Sequence, residues 1–316
     1  MNAIETRALT RRFGKMTAVD HLELQIPQGA LYGLIGPNGA GKTTTLRMLA
    51  GLLEPTKGEI VLNGAVANHD WRDLRRQIGY MPDFFGVYED MLVWEYLDFF
   101  GRCYGLSTAR RRQVTDELLE LVDLTAKRDA YVETLSRGMR QRLCLAHALV
   151  HDPSVLLLDE PASGLDPRAR VEMRELLREL RAMGKTIVVS SHILAELAEL
   201  CDSVGIIEQG HLVAGGSLEE VRRQAREGRM LHLRVLSDLD AAAAVLGDCP
   251  GVGQVYPQET PEGVGGILEV EFAGDDETIA DLLAALLARG VRVLSFSETT
   301  SDLEEVFLRL TQGEVA

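Results

Sequence analysis

The stretch Gly36-Pro37-Asn38-Gly39-Ala40-Gly41-Lys42-Thr43 follows directly after the apolar run Leu31–Ile35. This run is one of four clear predicted strands in the first part of the chain, with Ile60–Leu62, Val155–Leu158 and Thr186–Ser190. The last two are continuous apolar runs, as expected for strands that are buried on both faces. The glycines let the backbone turn tightly, so that successive N–H groups can point at one anion, and a helix that begins near Lys42 directs its positive end at the same anion. A strand, a glycine-rich loop and a helix in this order predict a phosphate-binding loop within an α/β fold.

Separate positions of this loop have separate predicted roles. Lys42 supplies a mobile charge for the β- and γ-phosphates of a nucleotide, Thr43 offers its hydroxyl to Mg²⁺, and Thr44 is placed to bond the α-phosphate. A glycine-rich turn without a chemical role is the alternative, and the complete strand–loop–helix context argues against it. The predicted nucleotide-binding positions of the loop are Gly36, Asn38, Gly39, Gly41, Lys42, Thr43 and Thr44.

Two carboxylates follow a second apolar strand, Val155–Leu158. Asp159 would hold Mg²⁺ directly or through water, and Glu160 would act as the general base that polarises the attacking water. A charged turn at the end of a strand is the alternative, but a phosphate loop upstream favours the hydrolytic interpretation. His192 follows a third apolar strand, Thr186–Ser190, and is predicted to sense the γ-phosphate, although a lone histidine at a strand end is more often structural.

The composition limits the other possibilities. The 316 residues allow two or three domains, and a hydrophobic content of 46% argues against disorder. A formal net charge of −15 makes a nucleic-acid partner an unfavoured expectation. The four cysteines are far apart, which favours reduced thiols in the cytoplasm over a zinc site. Neither an N-terminal signal peptide nor an apolar stretch of about 18 residues is recognisable in the sequence.

The pattern along the chain predicts three regions. Residues 1–226 alternate strands with helices, and within them residues 84–150 have helical spacing, as in Trp94–Tyr104 and Ala109–Val122. Residues 227–316 read strand, helix, strand, strand, helix, strand, which is the ferredoxin-like order, followed by a final helix at Leu303–Leu310. The predicted strands and helices of this last region are Leu231–Leu236, Leu239–Leu246, Val252–Tyr256, Ile267–Phe272, Ile279–Ala288 and Val291–Phe296.

The first 220 residues resemble the ATP-binding cassette (ABC) family. Leu135-Ser136-Arg137-Gly138-Met139 is similar to the family signature LSGGQ, and Ser163-Gly164-Leu165-Asp166 is similar to its D-loop. His192 matches the family's switch histidine, and Phe13 lies where the family places an aromatic ring that stacks on adenine. The resemblance implies a P-loop cassette with a RecA-like core, a helical subdomain and an antiparallel β part.

The resemblance also implies a mechanism. Two cassettes close head to tail, with each ATP between the phosphate loop of one and the signature of the other, and hydrolysis reopens the pair. Ser136 and Gly138 would contact the γ-phosphate of the partner's nucleotide, since they open the helix Met139–Val150 and direct a hydroxyl and N–H groups at it. Asp166 is expected to belong to the same nucleotide site.

The sequence departs from the family pattern in three places, which are the signature, the Q-loop and the aromatic position. Arg137 replaces a glycine of the signature and Met139 replaces its glutamine. Asp83 occupies the position of the family's Q-loop glutamine, so that it either reaches toward Mg²⁺ or only shapes the turn after Pro82. Phe13 can stack as a tyrosine does, but it has no hydroxyl.

The stretch Ser301–Phe307 resembles the C-terminal extension of ABC-2-type exporter ATPases, in which the membrane subunit is a separate chain. The resemblance therefore implies a cytoplasmic ATPase subunit at the inner face of the cell membrane, bound to such a permease and paired with a second ATPase subunit. We expect a homodimer, and a heterodimer is the open alternative. The extension itself would be a packing or dimerisation domain rather than a regulatory ligand site. An apolar run in the helical region would contact the permease, although part of it would pack internally: Phe84, Phe85, Val87, Tyr88, Met91, Leu92 and Trp94.

Two other functions remain open at this point. A soluble ABC ATPase acting on DNA or ribosomes would carry a long coiled coil or a second cassette, and neither is visible in the sequence. A cassette that binds nucleotide without hydrolysing it would have lost part of the set Lys42, Asp159, Glu160 and His192. That set is intact, and only Asp83 keeps the binding-only alternative open.

Overall fold

The computed structural model describes residues 1–67, 71–83, 86, 88, 90–193, 197, 199–225, 229–236, 238–259 and 265–299. The chain divides into two compact units between Leu218 and Glu219. This division lies at the start of the helix Leu218–Ala225, whereas the sequence pattern places a boundary near residue 226.

The first unit contains a six-stranded sheet in the order β11-β10-β4-β9-β8-β7. Its central strands are parallel and buried along their whole length: β4 (Leu31–Ile35), β9 (Thr186–Ser191) and β8 (Val155–Asp159). β7 (Ile78–Met81) and β10 (Ser203–Glu208) extend the sheet in parallel on either side, and β11 (His211–Ser217) pairs antiparallel with β10. The chain leaves β4, β8 and β9 at the same edge of the sheet, which brings the segments after them together.

A second, antiparallel sheet of the first unit has the order β2-β1-β5-β6, with β3 also paired to β1. Its strands are β1 (Asn2–Phe13), β2 (Met16–Leu22), β3 (Gln25–Pro27), β5 (Lys57–Leu62) and β6 (Ala65–Val66). Helix α1 (Lys42–Leu49) shares one apolar core with both sheets. The predicted strand Ile60–Leu62 is the second half of β5. The strand β1 is not predicted, because buried threonines interrupt its apolar pattern. Thr6 is accommodated there because its hydroxyl donates to the carbonyl of Leu22 and accepts from the amide of Leu24.

The predicted helical region contains α3 (Val93–Cys103), α4 (Thr108–Leu121) and α5 (Arg137–Leu149). Short 3-10 turns lie at Thr125–Lys127 and Val132–Thr134, and a short helix α2 (Arg72–Arg75) precedes β7. Each of the predicted helices Trp94–Tyr104 and Ala109–Val122 is shifted by one residue in the structure. Helix α6 (Pro167–Ala182) follows β8, and a side-chain cap begins it, as one does for α4 and α5.

The second unit has the strand order β13-β14-β12-β15, and each neighbouring pair is antiparallel. This is the ferredoxin-like arrangement that the order of elements predicts. Its core contains Leu231, Val270 and Phe272 from the sheet and Leu246 and Leu282 from the helices. The elements are α7 (Leu218–Ala225), β12 (Arg229–Val235), α8 (Leu239–Gly247), β13 (Val252–Glu259), β14 (Gly266–Phe272), α9 (Asp276–Ala288) and β15 (Val293–Thr299). The predicted helix Leu303–Leu310 lies outside the described residues.

None of the helices in the described part of the chain has both the length and the apolar character that crossing a lipid bilayer requires.

Candidate functional site

A cavity of about 470 Å³ opens over the loop between β4 and α1. Its floor is the phosphate loop, and its walls come from the turn between β1 and β2 and from the segments after β7, β8 and β9. It therefore lies at the edge of the parallel sheet where ligands bind in open α/β folds. The predicted site residues that line it are Phe13, Asn38, Gly39, Gly41, Lys42, Thr43, Thr44, Asp83, Glu160 and His192.

Gly41 is required where the loop turns into α1. Its φ angle is +104°, and a Cβ atom there would lie 2.5 Å from the carbonyl oxygen of Ala18. The helix then starts at Lys42, whose Nζ donates to the carbonyl of Gly36 at 2.7 Å and to that of Pro37 at 3.1 Å. The loop is therefore held closed by the lysine that is predicted to bind phosphate.

Lys42 is a nearly buried cation, with 6% of its surface exposed. Burial lowers the pKa of Lys42, and the carboxylates of Glu160, Asp159 and Asp83 oppose that shift. Its Nζ lies 3.7 Å from Oε1 of Glu160. The positive charge thus faces the cavity with little solvent around it, which strengthens its attraction for an anion.

Glu160 is held rigidly at the end of β8. Its φ angle of +50° is uncommon for a residue with a side chain, and its amide donates to Oγ of Ser190 at 3.0 Å. Oε2 of Glu160 lies 3.0 Å from Nδ1 of His192. Burial raises the pKa of Glu160, while His192 and Lys42 act in the opposite direction. A carboxylate in this setting is suited to accepting a proton.

Asp159 is a buried acid, 1% exposed, and its Oδ1 accepts a hydrogen bond of 2.7 Å from Oγ of Ser190. Its carboxylate and the hydroxyl of Thr43 are hard oxygen donors, which Mg²⁺ prefers. In the part of the chain that the structure describes, no group of three or more His, Cys, Asp or Glu residues could hold a metal. The donor set fits Mg²⁺, which is usually bound by one or two carboxylates together with substrate phosphates.

Asp83 and Phe13 lie at the wall of the same cavity. Asp83 is exposed, and its charge acts on both Lys42 and Tyr80. The Phe13 ring is partly exposed, and the guanidinium carbon of Arg11 lies 4.6 Å from its centroid.

The remaining predicted site residues lie in a different place. Ser136, Gly138 and Asp166 line a second cavity of about 240 Å³, between the start of α5 and the start of α6. Ser136 caps α5 by accepting from the amide of Met139, and Asp166 caps α6 by accepting from the amide of Ala169. A Cβ atom on Gly138 would meet Ala169 and Leu165 only at ordinary contact distances of 3.5 Å. One chain therefore does not bring the two groups of predicted residues together.

The apolar run that is predicted to contact the permease is partly exposed. Tyr88 is 54% exposed and packs edge-on against the exposed ring of Phe99, with centroids 5.6 Å apart. Met91, Leu92 and Trp94 are half-buried. Phe84, Phe85 and Val87 lie outside the described residues.

Sequence reasoning missed the residues that hold this site in place. Ser190 is fully buried and bonds to both Asp159 and the amide of Glu160. Its polar side chain within the apolar strand Thr186–Ser190 was the available signal. Gln141 and Ser163 also bond to each other, through the side-chain amide of Gln141 and the carbonyl of Ser163. A contact between segments this far apart in the sequence requires the fold.

Comparison with known proteins gives the family. Residues 19–163 match the model described as "ABC transporter", and residues 216–311 match "ATP-binding protein DrrA1-3-like, C-terminal domain". The Nod factor export ATP-binding protein I of Cupriavidus metallidurans is 41% identical over 99% of this chain and 98% of its own length. The chain belongs to the ABC transporter ATP-binding proteins. The predicted resemblance is confirmed, and with it the assignment as an ATP-hydrolysing cassette.

Further relatives of this ABC ATPase cover nearly the whole chain. The Nod factor export ATP-binding protein I of Ralstonia nicotianae is 36% identical over 99% of the chain and 94% of its own length. The linearmycin resistance ATP-binding protein LnrL of Bacillus subtilis is 30% identical over 98% of both chains.

Solved structures support the predicted cassette fold. The structure of the ATP-binding subunit of an ABC transporter has a TM-score of 0.64 at 33% identity, over 70% of this chain and 92% of its own. A dimeric bacterial ABC transporter cassette has a TM-score of 0.62 at 26% identity, over 68% and 98%.

Proposed function

We propose that this chain is the ATPase subunit of an exporter and that it drives export through a separate ABC-2-type membrane subunit. Relatives named for Nod factor export and for linearmycin resistance match it over almost the full length, including the second unit. The chain would then work at the cytoplasmic face of the cell membrane, bound to its permease. A nucleic-acid partner is not part of this proposal.

The observation that carries hydrolysis is the placement of Glu160 between Lys42 and His192 at one cavity. In this proposal Lys42 exchanges its bonds to the carbonyls of Gly36 and Pro37 for phosphate oxygens. Glu160 accepts the proton of the attacking water, and His192 keeps the carboxylate oriented toward that water. Phe13 stacks on adenine, and the loop amides bond the phosphates.

Thr43 and Asp159 would hold Mg²⁺, and Asp83 stands at the cavity wall as a further donor. When bound, Mg²⁺ neutralises charge on the β- and γ-phosphates. Ser190 has the role of fixing both acids, since it donates to Asp159 and accepts from the amide of Glu160. A lost Ser190 hydroxyl would therefore disturb Asp159 and Glu160 together.

The second cavity supports a head-to-tail homodimer. Ser136, Gly138 and Asp166 line a cavity other than that of the phosphate loop of their own chain. Ser136 and Gly138 lie at the start of α5, where the helix dipole favours an anion, and Asp166 lies at the start of α6. Glycine within a helix costs about 1 kcal/mol relative to alanine, and the chain itself has room for a Cβ atom at Gly138. Its presence is explained if the γ-phosphate of a partner's ATP approaches this backbone closely.

Phosphate release from MgATP tests hydrolysis. The wild-type chain should release phosphate, whereas Glu160→Gln, which has the same shape without a basic carboxylate, should not. Lys42→Ala should bind nucleotide about ten- to a hundredfold more weakly, because a charge-assisted contact is lost. Lys57→Ala, at an exposed lysine of β5, is the matched control. If Glu160→Gln hydrolysed ATP at the wild-type rate, Glu160 could not be the general base.

If a membrane protein with several spans is encoded beside the gene for this chain, coexpression with it tests the partner. The wild-type chain should copurify with that protein from detergent extracts, and Tyr88→Asp should reduce the recovery. Leu52→Asp, at a side chain of similar exposure, should not. An active ATPase that never associates with the membrane protein would argue for an ABC ATPase with a non-membrane partner.

A further inference from the structure

Arg137, which stands where the family signature has glycine, folds back onto its own chain. Its Nη2 donates to the carbonyl of Ser163 at 3.0 Å. The guanidinium also covers Gly164, where a Cβ atom would lie 2.3 Å from Cζ, 2.4 Å from Nη2 and 2.5 Å from Nη1. The three nearly equal distances place the flat group face-on over Gly164. Its φ angle of +66° and lack of a side chain make this approach possible.

A second side chain of the same helix reaches the same carbonyl. Nε2 of Gln141 donates to the carbonyl of Ser163 at 3.1 Å, and Gln141 is only 3% exposed. Positions 137 and 141 lie one turn apart, on the same face of α5. Oε1 of Gln141 has no hydrogen-bond partner among the described residues. The bond from Nε2 to Ser163 is therefore the contact that orients this buried amide. Two donors of α5 thus hold one carbonyl oxygen.

The held carbonyl belongs to the turn that follows Glu160. The amide of Ser163 donates to the carbonyl of Glu160 at 3.0 Å, and the amide of Leu165 donates to that of Ala162 at 3.3 Å. Ser163 also lines the nucleotide cavity. A continuous set of hydrogen bonds therefore runs from Arg137 through Ser163 to the backbone of Glu160.

We propose that Arg137 is a positioning residue for hydrolysis, which holds the Ser163–Gly164 turn on α5 and thereby fixes the backbone of Glu160. This inference rests on the proposed function. In the head-to-tail dimer, Ser136 at the start of α5 contacts the nucleotide bound by the partner chain. Arg137 of the same helix holds the turn beside the nucleotide bound by its own chain. The contact of one site with its nucleotide is then linked to the base of the other through a single helix.

Steady-state ATPase kinetics and nucleotide binding test the role. Arg137→Gly should lower kcat about tenfold and leave the Kd for nucleotide within about twofold, because the phosphate loop is untouched. Arg137→Lys should recover part of kcat, since an ammonium can donate to Ser163 but cannot spread over Gly164. Arg137→Met, which keeps bulk without a donor, should behave as Arg137→Gly. An unchanged kcat, or a loss of nucleotide affinity as large as the loss of kcat/KM, overturns the proposal.

A double-mutant cycle tests the contact with Gly164. A side chain there would displace the guanidinium, so Gly164→Ala should reduce kcat in the wild-type background much more than in the Arg137→Gly background. Equal fold-losses in both backgrounds would mean that the two positions act independently, which overturns the proposed contact.

Hydrogen exchange of the full-length chain separates this proposal from the proposed function. The amides of Ser163 and Leu165 should exchange faster in Arg137→Met, which lacks the donor but keeps a helix-forming side chain, while the amides of β8 and the melting temperature stay close to wild type. Unchanged exchange at Ser163 and Leu165 overturns the positioning role even in an active ATPase. A wild-type chain without ATPase activity would instead overturn the proposed function, whatever the exchange result.

Discussion

At the scale of single residues, the charge balance around Glu160 has a direct consequence for catalysis. Burial raises the pKa of this carboxyl, and His192 and Lys42 lower it. The base must be ionised to accept a proton, so hydrolysis should be lost as the pH falls through this pKa. The loss should come at a higher pH than for a freely exposed carboxyl.

The histidine allows this balance to be tested. His192→Ala removes a neighbour that lowers the pKa of Glu160, so the acidic limb of the pH–rate profile should move to higher pH. The maximal rate should fall as well, because the contact to Oε2 that orients the carboxylate is lost. The pH dependence of the residual kcat is the measurement, with His211→Ala, an exposed histidine outside the cavity, as control. A limb that moves to lower pH would contradict the assigned contact.

Asp83 poses a question about the metal. Its carboxylate lines the cavity and acts electrostatically on Lys42. If it reaches toward Mg²⁺, directly or through water, then Asp83→Asn should shift the midpoint of the Mg²⁺ dependence of ATPase activity to higher concentration. Asparagine keeps most of the turn-forming ability of aspartate while losing the charge. An unchanged midpoint with an unchanged maximal rate would leave Asp83 as a residue that only shapes the turn.

At the scale of elements, the sequence predicted the three central parallel strands β4, β8 and β9, but not their neighbours β7 and β10. Of the antiparallel sheet it predicted only Ile60–Leu62, the second half of β5. The apolar run Leu31–Ile35 is a strand with the same limits, and β8 and β9 are each one residue longer than predicted. Such strands carry apolar residues on both faces. The long strand β1 has polar residues inside the core as well as outside, because Thr6 and Thr10 are buried. Its pattern is therefore hard to recognise without the pairing partners.

In the candidate site, too, some features could be predicted from the sequence and others could not. Residues with a distinctive local motif, such as Lys42 and Glu160, could be predicted, since the chemistry requires them at a fixed distance from a strand. Ser190 and Arg137 could not be assigned their contacts, because these join segments that meet only in the folded chain. A short motif specifies its own backbone, and it carries no information about which distant segment packs on it.

The start of α5 gives a prediction with a matched control. Ser136 and Ser107 cap their helices with the same geometry, each accepting from an amide three residues on at 3.3 Å. Replacing either by alanine should lower the free energy of unfolding by about 1 kcal/mol. Only Ser136→Ala should also lower ATPase activity, since only Ser136 is predicted to contact a nucleotide. Denaturant unfolding and phosphate release measure the two effects, and an equal loss of activity in both variants would reduce Ser136 to a cap.

At the scale of the whole molecule, the two cavities raise the question of what joins them. The phosphate-loop cavity contains the predicted base, and the second cavity contains Ser136, Gly138 and Asp166. If each nucleotide is enclosed by the phosphate-loop cavity of one chain and the second cavity of the other chain, two chains form two complete sites. ATP then acts as a ligand of the dimer, and it shifts the equilibrium toward association by its preference for that state.

A variant that binds ATP without hydrolysing it makes this association measurable. Glu160→Gln should bind MgATP normally and, because it cannot take the proton, should accumulate as a dimer on size exclusion with light scattering. Gly138→Ala in this background should remain monomeric with MgATP, since the added methyl group occupies the space in which a partner's phosphate would lie. The same change should raise the melting temperature, because alanine favours the helix and the chain has room for its Cβ atom. Opposite effects on stability and association would exclude misfolding as the cause. If Glu160→Gln stayed monomeric at saturating MgATP, or if Gly138→Ala dimerised equally well, the head-to-tail arrangement would have to be abandoned.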